Sequence, residues 1–144
     1  MGGSYYTIGD IPAYGADAIV ALGGMGAIAG WSIEGGLFEG RTLNGLAVHR
    51  VSLGPNFDVR LGRAGLGFGF THAVTSIERT TRTGSIGVGS TSAVLRLTVD
   101  LLRWDPHHAL FVGGRVTYGS SAGSTGGDIE LLNAGLLLGY RFRL

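Results

Sequence analysis

The chain has 144 residues, enough for one domain. Its mean hydropathy of +0.30 and its 15% of charged residues make it more apolar than water-soluble domains, in which about 25% of residues are charged. A net charge of +1 leaves no basic footprint for nucleic acid. The absence of cysteine excludes disulfide scaffolds, thiolate metal sites and cysteine nucleophiles.

Apolar residues alternate with small or polar ones along most of the chain, which is the two-residue period of a β-strand with two different faces. The longest uncharged run, 18–33, is shorter than the ~20 residues of a membrane-spanning helix. Glycines interrupt that run and disfavour a helix. The sequence therefore predicts an all-β chain.

The N-terminal region carries the weakest strand signal. Seven other strands can be counted, and single-chain bacterial barrels close with an even number, so we assign a first strand within SYYTIGDIP, Ser4–Pro12. The alternatives for residues 1–15 are a plug, an N-terminal arm, or a place where a partner closes the sheet. A second strand is predicted at 16–23.

The third strand, predicted at 27–38, has one apolar face. Trp31, Ile33 and Leu37 lie on that face and alternate with small or polar residues that include Glu34. The polar residues are therefore expected on the opposite side of the sheet.

The fourth strand, predicted at 46–61, contains a proline within an alternating pattern. Its odd positions are largely apolar, and Arg50, Asp58 and Arg60 lie opposite them. Pro55 has no N–H to donate and requires a bulge or a local gap in the ladder.

The second half of the chain repeats the pattern. Strands are predicted at 64–74, 87–103, 109–119 and 129–144. The charged residues on their polar faces are Arg96, Asp100, Arg115, Arg141 and Arg143. Tight connections at 23–26, 62–63 and 104–108 take turns along the chain with longer polar ones at 39–44, 74–85 and 120–128.

Long strands, a polar face of glycine, serine and arginine, and alternating short and long connections together predict an up-and-down antiparallel transmembrane β-barrel of eight strands. A closed barrel is required in a bilayer because every backbone group must pair within the protein. Aromatic residues near strand ends fit the two interfacial girdles, and ordinary core packing is the equally weighted alternative for each of them. They are Trp31, Phe38, Trp104, Tyr118, Tyr140 and Phe142.

From about Ala27 onward, this pattern resembles the small OmpA/OmpX-like outer-membrane β-barrels of Gram-negative bacteria. The most specific part is the C-terminal strand LLNAGLLLGYRFRL, because that family ends in alternating apolar residues with a terminal aromatic that the outer-membrane assembly machinery recognises. The matching residues are Leu136, Leu138, Tyr140, Phe142 and Leu144, the last standing where phenylalanine is usual. The resemblance implies the bacterial outer membrane, with the lipid bilayer and the assembly machinery as partners. No cofactor is predicted.

The sequence contains no convincing nucleophile, base and acid set, so an enzyme is not expected. His107 and His108 with Asp105 have the chemistry of metal ligands. A polar turn shaped by Pro106 is favoured instead, and no metal site is predicted. The glycine-rich segments GRAGLGFG and GSIGVG are not followed by a helical pattern or a phosphate-binding lysine, as a nucleotide loop requires.

The candidate functional residues are the charges predicted to face the interior, where charged groups must pair or be hydrated. They are Glu34, Arg50, Asp58, Arg60, Arg96, Asp100, Arg115, Arg141 and Arg143. Because an eight-stranded barrel is just wide enough to be filled by its own side chains, a plugged, arginine-rich lumen is predicted.

The predicted function is that of a small non-enzymatic barrel with a structural role or a role carried by its surface loops. Three alternatives remain. One is a narrow anion-preferring channel, because rings of arginine favour anions. Another is a soluble β-barrel or sandwich that binds an apolar ligand. The third is a subunit of a larger assembly that buries one barrel face on an envelope protein partner.

Overall fold

The computed structural model of the protein describes residues 1–8, 10–26, 28–78, 85–105, 108–122 and 128–142. They form one closed antiparallel barrel in which consecutive strands pair and β1 also pairs with β8. The strands are β1 (Gly2–Ile8), β2 (Ile11–Met25), β3 (Ala29–Thr42), β4 (Ala47–Leu61), β5 (Ala64–Glu78), β6 (Ser85–Arg103), β7 (His108–Ala122) and β8 (Asp128–Phe142). The predicted eight-stranded, up-and-down fold is confirmed. No helix that could cross a membrane occurs in these ranges.

The alternation of the sequence sets the two faces of each strand. On β4, Val51, Leu53 and Phe57 are exposed on the outside, whereas Arg50 and Asn56 are buried inside. The polarity is the reverse of an ordinary globular domain, in which large apolar side chains fill the core and charges face water.

The two ends of the barrel differ in their connections. Residues 26–28, 62–63 and 104–107 connect strands at one end, which we term the short-turn end. Residues 9–10, 43–46, 79–84 and 123–127 connect strands at the other, which we term the long-loop end.

The N-terminal boundaries differ from those predicted. The segment assigned to one strand, Ser4–Pro12, spans a turn, because Ile8 at the end of β1 pairs with Ile11 at the start of β2. Pro12 is tolerated there because the β2–β3 ladder begins only at Ala13, so that its missing N–H costs no bond to β3.

Three strands continue into segments that were predicted as loops. β3 runs on to Thr42, β5 to Glu78 and β7 to Ala122. Polar residues on the outer face do not end a strand as long as the backbone still has a partner, and Arg41, for example, pairs with Ala47.

Pro55 interrupts the β4–β5 ladder, as predicted. The ladder stops at the pair Leu53↔His72 and resumes only at the pair Asn56↔Gly69. At the interruption a Cβ atom on Gly54 would lie 1.9 Å from the carbonyl oxygen of Phe70, so only glycine fits between the two backbones there.

An apolar cluster fills the interior toward the long-loop end. Its buried members are Tyr6, Ile8, Ala13, Phe38, Val48 and Leu131, and Ile77 packs against them. The rings of Tyr6 and Phe38 lie 5.6 Å apart. Of the two alternatives for Phe38, core packing is therefore confirmed and the interfacial girdle is wrong. Phe38 is at an even position of β3 and shares the inward face with Glu34. The face on which a side chain lies is set by this odd–even alternation, which we term strand parity, and not by its distance from the strand end.

Candidate functional site

Four charged side chains meet inside the barrel from β3, β4, β6 and β7. Glu34 Oε1 lies 2.6 Å from Arg115 Nη2, and Glu34 Oε2 lies 2.6 Å from Arg96 Nη1. The other terminal nitrogen of Arg96 donates to Asp58 Oδ1 at 2.8 Å. Glu34 and Arg115 are only 3% and 4% exposed, so water screens their attraction little.

Asp100 on β6 organises a second charged cluster toward the short-turn end. Its Oδ2 accepts hydrogen bonds from Arg60 and, at 2.9 Å, from Arg103. Its Oδ1 accepts one from Arg141 at 2.7 Å. Within the described residues, one buried carboxylate therefore binds three guanidinium groups.

Arg103 was missing from the predicted interior set. The β6–β7 register shifts between Asp100 and Leu102, so Arg103 pairs with the buried Ala109 and joins the inward side. A β-bulge of this kind resets the two-residue period from which the faces were assigned. In the sequence, the only sign of this bulge is the pair of successive apolar residues Leu101 and Leu102, which interrupts the alternation.

Asp17 was also missed. It lies on the inward face of β2, is 6% exposed, and accepts a hydrogen bond from the Ser4 hydroxyl on β1. The sequence contains a signal for this position. The neighbouring even positions of β2, such as Val20 and Leu22, are apolar, so the alternation places the odd position 17 on the opposite, inward face.

The guanidinium group of Arg50 contacts an aromatic ring, unlike those inward arginines that bind carboxylates. It is 3% exposed, and its guanidinium carbon lies 5.3 Å from the centre of the Tyr6 ring, within the range of a cation–π interaction. The Tyr6 hydroxyl lies 3.1 Å from Thr75 Oγ1. Within the described residues, no carboxylate lies within salt-bridge distance of Arg50.

Several buried polar atoms of the interior lack a hydrogen-bond partner among the described protein atoms. They include Nδ2 of Asn56, the hydroxyls of Ser90, Ser92 and Ser121, Nε of Arg50 and Arg115, and both amide atoms of Asn133. Buried groups of this kind are normally bonded to ordered water. The interior is therefore expected to be hydrated locally at these polar groups, including Arg50 and Asn133 beside Tyr6 of the apolar cluster.

The structure places every described residue of the predicted charged set on the inward face, and Arg143 lies outside the described residues. On β8, Leu136, Leu138, Tyr140 and Phe142 form an exposed outer row, with 55% to 72% of each residue accessible. Leu144 lies outside the described residues.

Aromatic residues gather on the outer face at the short-turn end. The Tyr140 ring lies 6.4 Å from that of Trp104, and the His108 ring lies 4.9 Å from that of Phe142. His108 also hydrogen-bonds the Tyr140 hydroxyl, and its backbone N–H donates to Asp105 Oδ1 at 2.8 Å. Pro106 and His107 of the same turn lie outside the described residues. Across the described ranges, no group of three histidine or acidic side chains is arranged to hold a metal ion.

The barrel wall has a lateral gap between β2 and β8 at the short-turn end. β1 has 7 residues whereas β2 has 15, and their ladder stops at Gly2↔Asp17. Beyond that point no other described strand lies between 18–25 of β2 and 139–142 of β8. A cavity of about 350 Å³ lies behind the gap and reaches Asp58, Arg96 and Arg141, among other residues.

The interior thus combines paired buried charges, an apolar cluster and a laterally open cavity with a cationic floor. Such an arrangement can hold the strands together, obstruct passage along the axis and attract a negatively charged group. No protein-family model, no curated protein and no solved structure matches this chain.

Proposed function

We propose that this chain is a small, non-enzymatic β-barrel of the bacterial outer membrane, with a structural role or a role carried by its surface loops. The observation that carries the proposal is the reversed polarity of the barrel wall. Charged side chains such as Glu34 and Asp100 are less than 5% exposed, whereas large apolar side chains cover the outside.

The outer surface suits lipid rather than water. Val20, Leu22, Leu53, Leu97 and Leu136 are between 58% and 74% exposed. Soluble monomers rarely expose contiguous apolar patches of more than a few hundred Å². The hydrocarbon of a bilayer is an apolar solvent that suits such a surface. A closed barrel pairs its backbone N–H and C=O groups within the protein, as the bilayer requires.

The outer rows also fit the interfaces of a bilayer. Trp104, Tyr140 and Phe142 lie outside at the short-turn end, and Tyr5, Tyr14 and Tyr118 lie outside toward the other end. Amphipathic rings at two levels match the aromatic girdles of outer-membrane barrels. The apolar row of β8 supports recognition by the outer-membrane assembly machinery, as in the OmpA/OmpX-like class.

The interior is proposed to be plugged. The apolar cluster around Phe38 occupies the long-loop side, and the ion pairs of Glu34 join strands on opposite sides of the barrel. Filling of the interior by side chains is the usual outcome for eight strands. The protein would then act through its loops or through its presence in the membrane.

The test is whether folding requires detergent or lipid. The chain is refolded from urea with and without detergent micelles, and sheet content, particle size and gel migration with and without heating are compared. The proposal predicts a folded, heat-modifiable species only with detergent. A monodisperse, folded monomer in plain buffer would refute it in favour of the soluble barrel.

A narrow anion-preferring channel is the second candidate, and the excess of inward arginines favours it. Arg50 in particular has no carboxylate partner in the described chain. Planar-bilayer recordings separate the two proposals. Resolved single-channel steps that disappear in Arg115→Ala or Arg96→Ala would replace the plugged barrel with a channel.

A further inference from the structure

A polar chamber lies inside the barrel between the apolar cluster and the ion pairs of Glu34. On β8, Asn133 is two residues from Leu131 of the apolar cluster and, in the other direction, two residues from Gly135, which pairs with Arg115. The side chains of the chamber are buried, with at most 7% of each residue exposed. We define the polar chamber by Arg50, Ser52, Ser90, Ser92, Thr117 and Asn133.

The inward positions of β3 to β7 at the level of the chamber are small. Ser52 pairs with Gly36 and with Ala73, and Ala73 pairs with Ser90. One pair further along β6, Ser92 lies opposite a glycine of β7. Glycine, alanine and serine do not reach the barrel axis, which leaves room beside the long Arg50 side chain for a ligand of atomic size.

Arg50 is the cation of the chamber, and within the described residues no carboxylate lies within salt-bridge distance of it. Its guanidinium stacks on Tyr6 at 5.3 Å, and its Nε has no hydrogen-bond partner among the described protein atoms. Arg115 repels Arg50 more strongly than Asp17 attracts it. The Asp17 carboxylate accepts a hydrogen bond from Ser4 instead. Because a buried cation without a paired anion is unfavourable, Arg50 is expected to have a further, negatively charged partner.

The unpartnered polar groups around Arg50 are mainly hydrogen-bond donors. Nε of Arg50, Nε of Arg115 and Nδ2 of Asn133 can only donate, whereas the hydroxyls of Ser90 and Ser92 can donate or accept. Among the described atoms of the chamber, Asn133 Oδ1 is the unpartnered one that can only accept. A buried water needs acceptors for its own hydrogens as well as donors. An excess of donors therefore suits an anion better than it suits water.

Strand pairing brings the donors of three strands to one place. Asn133 pairs with Tyr6, the residue on which Arg50 stacks. On its other side Asn133 pairs with Thr117, which is two residues from Arg115 on the inward face of β7. The Asn133 amide therefore lies between the surroundings of the two guanidinium groups.

We propose that the polar chamber binds one monovalent anion of halide size, such as chloride, which accepts hydrogen bonds from Arg50, Arg115 and Asn133. Its charge balances Arg50, and hydrogen bonds of this charge-assisted kind are about twice as strong as neutral ones. The apolar cluster closes the chamber on one side and the ion pairs of Glu34 close it on the other, so the anion is enclosed when the barrel folds. The inference does not depend on where the barrel is located.

The experiment compares the stability of the full chain in sodium chloride and in sodium gluconate at equal ionic strength, in the medium that supports folding. Gluconate is too bulky for the chamber. At a chloride concentration 100 times its Kd, the equilibrium constant of unfolding should be about 100-fold lower than in gluconate. Urea titration measures this constant, and bromide should replace chloride.

NMR of the ¹⁵N-labelled wild-type chain locates the anion without any substitution. The side-chain signals of Arg50 Nε–H and Asn133 Nδ2–H should shift saturably as chloride replaces gluconate, with the Kd that the stability measurements give. Arg41 provides the internal control, because it is exposed on the outer face of β3 and donates to the Gly45 carbonyl at 3.5 Å. Its Nε–H signal should not follow the same titration.

Two variants assign the site. Arg50→Met removes the cation and should abolish the difference between chloride and gluconate, whereas the matched surface variant Arg41→Met should retain it. Asn133→Ala removes one donor and should raise the Kd of chloride about tenfold, as expected for the loss of a hydrogen bond to a charged group. If Arg50→Met does not fold, the NMR shifts of the wild-type chain and the Asn133→Ala variant decide.

Three results would overturn the inference. One is the absence of any shift of the Arg50 and Asn133 signals at molar chloride, which would mean that the chamber holds water only. The second is a shift that does not saturate and is the same in gluconate, which would identify an ionic-strength effect. The third is full chloride dependence in folded Arg50→Met, which would place the anion elsewhere. None of these results bears on the detergent requirement, so this inference and the proposed function fail separately.

Discussion

Glu34 and Arg115 form an ion pair across the full width of the barrel, from β3 to β7, with Oε1 and Nη2 2.6 Å apart. The two strands lie on opposite sides of the closed sheet. Glu34 also binds Arg96, so one carboxylate connects three separate strands of the wall. This ion pair, which we term the internal brace, links two sides of the barrel that hydrogen bonds between neighbouring strands do not connect directly.

Glu34→Gln should destabilise the barrel strongly. Removing one partner of a buried ion pair leaves an uncompensated charge and costs about 3–5 kcal/mol. Here Arg115 would lose its only carboxylate partner among the described residues. The free energy of unfolding is measured by urea titration in the medium that supports folding, with tryptophan fluorescence as the signal.

Glu39→Gln is the matched control for Glu34→Gln. Glu39 lies on the same strand but on its outer face, its side chain is 71% exposed, and it pairs with His49. Exposed ion pairs contribute about 0–1 kcal/mol. Equal losses of stability in the two variants would contradict the internal brace.

Leu97→Arg tests the outward face of the proposed membrane barrel. Leu97 is 58% exposed and pairs with Gly114 near the middle of β7. An arginine at mid-bilayer on the lipid face costs about 2–4 kcal/mol, whereas one near the interface costs about 0–1 kcal/mol. Ser76→Arg, near the long-loop end, supplies the interfacial control. Urea unfolding in lipid vesicles should show the difference, and two equally stable variants would contradict a lipid-facing Leu97.

Thr98→Arg is the matched variant on the inward face of β6. On the alternating pattern alone, Thr98→Arg should be far milder than Leu97→Arg. Thr98 is, however, only 6% exposed, and a Cβ atom on Gly65 would lie 2.7 Å from its hydroxyl oxygen. Position 98 also faces the arginine clusters. Thr98 lines the interior cavity together with Arg60, Arg96 and Arg141, so like-charge repulsion would oppose arginine at position 98 and reduce the difference between the two faces of β6.

Phe38→Ala should open a cavity in the apolar cluster. Phe38 is 2% exposed and packs on Tyr6, and truncation of a buried phenylalanine costs about 3–5 kcal/mol. Phe57 is 57% exposed and stacks on Phe68 at 5.9 Å, so Phe57→Ala should cost clearly less. The comparison uses the same urea titration. A larger loss for Phe57→Ala would mean that the outer aromatic row, and not the interior cluster, dominates stability.

The fold was predictable because its main determinant is local. Strand parity depends only on whether a residue is odd or even, and Leu97 and Arg96 could therefore be assigned to opposite faces without any structure. The same logic found most of the charged interior. It failed at Arg103, where the register shift after Asp100 changed the parity.

Features that depend on pairing between distant strands were not predictable from one sequence. The end of β3 at Thr42 is set by its pairing with Ala13 on β2. The ion pair between Glu34 and Arg115 depends on barrel closure, which no local period encodes. The lateral gap has the same origin.

Gly62→Ala isolates the conformational demand of a tight turn. Gly62 begins the two-residue connection between β4 and β5 and has a φ of 62°, while a Cβ atom there would contact nothing within 4 Å. The cost of alanine is therefore conformational and should be about 1–2 kcal/mol. Gly89→Ala is the control, because Gly89 also has space for a Cβ atom and does not have a positive φ. Urea titration of both variants should show a loss at Gly62 only, and equal stability would mean that the turn relaxes to another conformation when alanine is introduced.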